Sequence, residues 1–129
     1  MKRKNAYILS TKDKKATELL IRLGMRSTFA KALLYLSHIS ECYSWEIEQG
    51  ADLKQPEVSI AMEEFRQRGW ISKQYLKPKG KGRPLYTYRM SKNIDDIIHE
   101  IIQEKLKEVR DIKSDITLLK QLVKGKIAG

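Results

Sequence analysis

Apolar residues return every three or four positions through most of this 129-residue chain, the spacing of helices with one buried face. Ala16, Leu19, Leu20 and Leu23 predict a first helix over Thr11 to Leu23, stopped by Gly24. Phe29, Ala32, Leu33 and Leu36, joined by Ile39, predict a second helix over Thr28 to His38, with Ser27 as its N-cap. Ile39 to Tyr43 reads as a connector. Ser44 predicts the cap of a short third helix, Trp45 to Gln49, followed by a tight turn at Gly50, Ala51 and Asp52. Leu53 would plug the angle before a fourth helix. Pro56 suits its first helical position, where a missing N–H costs nothing, and Gly69 suits its end. Val58, Ala61, Met62 and Phe65 fall on its inner face, and Gln55, Ser59, Ile60, Glu63 and Gln67 on its outer face.

The pattern then changes. Trp70 to Tyr75 and Leu85 to Met90 are rich in aromatic and β-branched residues and predict two paired strands. Between them Pro78, Gly80, Gly82 and Pro84 interrupt regular structure, and Lys77, Lys79, Lys81 and Arg83 alternate with them. Ser91 to Asn93 offer caps for a last helix predicted to run to about Lys124, with Asp95 and Asp96 in its positive first turn. Its stripe is Ile94, Ile98, Ile102, Leu106, Val109, Ile112, Ile116, Leu119 and Val123, at a mean spacing of about 3.6 residues. Such a helix is roughly 45 Å long. The preceding part of the chain is too small to cover all of it, so a second copy of the helix is the simplest partner. A helix feeding into a basic hairpin is the reading end of a winged helix-turn-helix. The predicted fold is mainly α with a small β-hairpin: a winged helix-turn-helix DNA-binding domain over residues 1–92 and a long C-terminal dimerisation helix over residues 93–129. Residues 1–10 read as either a short strand or an arm.

Charge sharpens this reading. The net charge is +10, but residues 16–64 carry four basic and eight acidic side chains, whereas residues 65–94 carry nine basic and none acidic. Residues 1–15 add six basic and one acidic. Charge concentrated in this way is expected of a surface that faces phosphates. Hydrophobic residues make up 41% of the chain, enough for a core. The lone Cys42 cannot form an internal disulfide, so a cytoplasmic setting is expected. No apolar run reaches the ~18 residues of a membrane span, and the first residues lack the apolar stretch of a secretory signal.

On the fourth helix Gln55, Ser59, Ile60, Glu63 and Arg66 are the candidate DNA contacts. Gln55 can pair with adenine, Ser59 can donate or accept, Ile60 suits a thymine methyl and Glu63 can accept from cytosine N4. Arg66 and Arg68 can contact phosphates or complement the helix end. On the wing the candidates are Lys73, Lys77, Lys79, Lys81, Arg83 and Arg89. Residues 81–84, Lys-Gly-Arg-Pro, resemble the core of an AT-hook and favour Arg83 as the minor-groove residue. Dimerisation is expected of Ile98, Ile102, Leu106, Val109, Ile112, Ile116 and Leu119. No catalytic, metal or cofactor site is expected. Gly80, Lys81 and Gly82 do not make a Walker loop, and His38 with Cys42 lacks further ligands and reads as core or boundary. Nothing in the sequence argues for a small-molecule effector.

These residues resemble the winged-helix regulators of archaea related to the MarR, ArsR and TrmB families. The resemblance covers about residues 16–92, through AKALLYLS, SWEIEQGADLKQPEVSIAMEEFRQRGWI and KGKGRPLYTYRM. It implies a homodimer that binds operator DNA through the fourth helix and the wing. Many such regulators carry arginine where Ile60 and Glu63 stand, the metal-sensing branch carries Cys/His clusters, and the TrmB branch often carries a sugar-binding domain. This sequence departs from all three patterns. Two other readings stay open: a protein-interaction winged helix in a transcription or processing assembly, for which Glu63 and Glu64 are suited, and RNA binding through the same hairpin.

Overall fold

The computed structural model describes residues 10–76 and 85–128, with side chains as far as 124. Its elements run α1 (Thr11–Arg22), α2 (Ser27–Leu36), β1 (Cys42–Tyr43), α3 (Ser44–Gly50), α4 (Gln55–Gln67), β2 (Ile71–Leu76), β3 (Leu85–Met90) and α5 (Ile94–Ala128). The chain divides into two units, one ending at Ile94 and the other beginning at Asp95.

Three helices end in the same way. Met25 N–H bonds the Leu20 carbonyl, Leu53 N–H that of Glu48, and Trp70 N–H that of Phe65. In each, the residue before the donor is left-handed: Gly24 (φ 106°), Asp52 (φ 56°) and Gly69 (φ 76°). The two glycine stops are as the sequence predicts. At α3 the left-handed residue is Asp52, whose short polar side chain tolerates that conformation. Three helix starts differ by one residue from expectation, whereas α1 begins at Thr11 as expected. Ser27 and Ser44 are first helical residues and not caps, with Arg26 and Tyr43 at the cap positions. Pro56 is second in α4, not first. The Glu46 and Glu57 carboxylates accept from Tyr43 N–H and Lys54 N–H, each at 2.8 Å.

The core centres on α2, which buries Ala30, Ala32, Leu33, Leu34, Tyr35 and Leu36 and is therefore apolar on nearly all sides. Phe65 and Trp70 complete it, their centroids 5.6 Å apart, with Phe29 edge-on to Phe65 at 5.8 Å. Helix α1 is turned relative to its predicted face. It buries Asp13, Thr17 and Leu20, while Leu19 and Leu23 are exposed. Polar bonds hold this orientation. Asp13 accepts from the Ser10 hydroxyl and N–H, its own N–H bonds Ser10 Oγ, and its Oδ1 lies 3.0 Å from His38 Nε2. Thr17 Oγ1 donates to the Asp13 carbonyl. Asp13→Ala is expected to lower stability by about 1–2 kcal/mol in urea unfolding, through the lost cap and the lost tie to His38.

The sheet has three antiparallel strands in the order β1-β3-β2. β1 lies inside the predicted connector: Cys42 pairs with Tyr88 and Tyr43 with Thr87. Two residues are too few to carry a period, so this strand is invisible to pattern reading. Glu41 accepts from the Thr87 hydroxyl beside it. Burial, then Glu46 and Glu41, push the Cys42 thiol up to about 12, so it is a protonated packing residue at neutral pH.

Helix α5 has 35 residues, about 52 Å. Near its start Ile97 and Ile101 are buried, while Ile98 is half-buried and Ile102 exposed. The doublets Ile97-Ile98 and Ile101-Ile102 offer two seams that periodicity cannot rank. Beyond Ile101 every described residue is exposed except half-buried Lys105. No helix among the described residues is long and apolar enough to cross a membrane.

Candidate nucleic-acid interface

Helix α4 separates its residues sharply. Val58, Ala61, Met62 and Phe65 are buried, with at most 1% of any of them exposed. Gln55, Ser59, Ile60, Glu63, Arg66 and Gln67 are all exposed. Ile60 stands 54% exposed, a β-branched apolar side chain with no core role.

The acidic middle of α4 is paired within the helix. Arg66 Nη1 lies 3.0 Å from Glu63 Oε1, and Arg68 Nε lies 3.0 Å from Glu64 Oε2. Gln67 also donates to Glu63. These exposed pairs contribute little stability, but they set each carboxylate against a guanidinium. The arginines are thereby committed more than the sequence indicates. Arg68 also lies over the Trp70 ring, 4.6 Å from its centroid.

A shallow concavity of about 550 Å³ runs beside this face, lined by Arg26, Phe29, Ser59, Ile60, Glu63, Glu64 and Gln67. Arg26 is a residue that sequence reasoning missed. It stands at the uncapped start of α2, its guanidinium 5.2 Å from the Phe29 centroid. Only the packing of α2 on α4 brings it beside Ile60. Its one sequence signal is a basic residue at a helix start, where an acidic or neutral one is usual.

On the hairpin, alternation along paired strands places Ile71, Lys73, Tyr75, Tyr86, Tyr88 and Met90 on one face and Ser72, Gln74, Thr87 and Arg89 on the other. Lys73 and Arg89 are both exposed, but they stand on opposite faces. Lys73 shares its face with Tyr88. Burial pushes the Tyr88 hydroxyl upward, Arg66 opposes the rise, and Glu63 and Tyr86 add to it, so Tyr88 lies within electrostatic reach of the end of α4. Lys77, Lys79, Lys81 and Arg83 fall outside the described residues, as do residues 1–9.

No protein-family profile and no curated protein matches the sequence. Solved structures match its fold. TrmBL2, an archaeal chromatin protein, aligns over 87% of this chain with a TM-score of 0.63 at 15% identity. A possible transcriptional regulator from Methanosarcina mazei Go1 aligns over 91% of this chain and 97% of its own, with a TM-score of 0.58 at 14% identity. The chain has a winged-helix fold.

A MarR-family transcription regulator shares this winged helix at a TM-score of 0.50 and 16% identity, over 88% of this chain and 76% of its own. The match spans only 40% of the length of TrmBL2. In these terms α3 and α4 are the helix-turn-helix, and β2 and β3 form the wing.

Proposed function

We propose that this winged helix is a sequence-specific, double-stranded-DNA-binding transcriptional regulator that acts as a homodimer. Helix α4 enters the major groove, the basic wing lies on the backbone and minor groove, and residues 93–129 join two copies. One observation carries the reading: the outward face of α4, from Gln55 to Gln67, is exposed and leads through Gly69 into a segment that has seven basic and no acidic residues over 70–94. Support comes also from the fold neighbours, of which one is described as binding DNA and two as transcription regulators or possible regulators. The ion pairs of Glu63 and Glu64 weaken the case for a protein-docking module, because each carboxylate already faces an arginine.

In this reading the work is divided. Helix α4 discriminates bases, and the cations of the wing, with Arg26 beside Ile60, bind phosphate. Ile60→Ala is expected to leave stability within about 0.5 kcal/mol, since the side chain is exposed. The same variant should bind preferred and random duplexes with nearly equal affinity while keeping the salt slope of the parent chain. Selection of bound duplexes from a random pool, followed by titration at several salt concentrations, tests this. Loss of affinity for all sequences alike, with a changed slope, would assign Ile60 elsewhere.

A further inference from the structure

Tyr75 and Tyr86 face each other across β2 and β3. They are 50% and 40% exposed, with ring centroids 5.6 Å apart and planes at 59°. Lys73 stands on the same face, its Nζ 4.0 Å from the Tyr86 centroid and 6.0 Å from that of Tyr88. This face passes from buried Ile71 and Tyr88 to solvent at Tyr75 and Tyr86 within a few residues. The rings account for cross-strand packing, which phenylalanine would serve equally. They do not account for tyrosine at both positions on a face where a lysine is set against an aromatic ring.

We propose that Tyr75, Tyr86 and Lys73 form a clamp for the phosphate backbone of duplex DNA, on the face of the wing that also carries Tyr88. The proposal rests on the DNA-binding reading above. Tyrosine hydroxyls donate to phosphate oxygens, and a lysine ammonium supplies charge on the same face. The cation–π contact keeps the lysine oriented without cancelling its charge. Segment 65–94 has no acidic residue to compete for it. Single-strand stacking, the other use of exposed aromatics, needs an open ring face for a base. Here the two tyrosines lean on each other and Lys73 covers a face of Tyr86, so the hydroxyls and the ammonium are the chemistry on offer.

The test uses the full chain, a labelled mixed-sequence duplex and one of its strands alone, titrated by fluorescence anisotropy at several salt concentrations. Tyr75→Phe with Tyr86→Phe keeps the rings and removes the hydroxyls. Duplex affinity is expected to fall roughly tenfold or more, alike for every sequence, with an unchanged salt slope, because hydroxyls release no counterions. Lys73→Met is expected to reduce the slope by about 0.9. Melting temperatures of both variants should match the parent, which separates binding from folding. Unchanged duplex affinity in the double variant, or an unchanged slope in Lys73→Met, overturns the clamp while leaving the regulator reading intact. Tighter binding of the single strand, retained by the phenylalanine variant, overturns it in favour of stacking. Failure of the parent chain to bind duplex even at low salt defeats the regulator reading itself.

Discussion

Adding one methyl group at Gly50 is expected to destabilise the winged-helix domain by roughly 3 kcal/mol, at the upper end of overpacking effects. A Cβ built there would overlap the ring of Tyr35. Tyr35 is 1% exposed, in the last turn of α2, and is enclosed by the core. Gly50 is the last residue of α3, and its φ is not among the positive values of the chain, so its backbone would suit any residue. Room is therefore the whole reason for the glycine. The left-handed position two residues on is filled by Asp52. The melting temperature of Gly50→Ala should fall by roughly 12–24 °C for a domain of this size. In a Tyr35→Leu background the same substitution should cost much less, because the ring it meets is gone. Equal losses in the two backgrounds would show that Gly50 serves something other than clearance.

The second large effect concerns α5. Ile102, Leu106, Val109, Ile112, Ile116 and Leu119 are 42–61% exposed, and Leu118, Leu122 and Val123 add to them. A helix with this much apolar surface calls for a partner. In the proposed dimer, Ile112→Asp with Ile116→Asp is expected to weaken self-association by at least about a thousandfold, since each copy would replace two isoleucines at the interface by carboxylates. Light scattering should then report a monomer. Affinity for a two-fold site with half-sites roughly 34–36 Å apart should collapse towards that of a single half-site. Both positions are exposed, so the fold should be unaffected. Truncation at Asn93 is a poorer test, because it removes the buried Ile97 and Ile101. A dimer that survives the double substitution would move the interface off this stripe.

Elements with local signals are legible from the chain before it folds. Glycine stops at Gly24 and Gly69, the inner face of α4 and the long last helix follow from spacing and backbone chemistry, and each stands where the pattern puts it. So does the outward face from Gln55 to Gln67, because a helix that buries Val58, Ala61, Met62 and Phe65 has no other way to turn. What the tertiary structure decided depends on contacts between residues far apart in the chain. It turned α1 so that Asp13 faces His38 and leaves Leu19 and Leu23 outside. It made a strand of Cys42–Tyr43 by supplying β3 as a partner. It brought Arg26 beside Ile60 and set Lys73 on Tyr86 while sending Arg89 to the opposite face. It also placed Gly50 against Tyr35, which local spacing reads only as part of a turn. A repeat of 3.6 reports which side of a helix is apolar, but side-chain volume, hydrogen-bond partners and strand register are settled only when another element arrives.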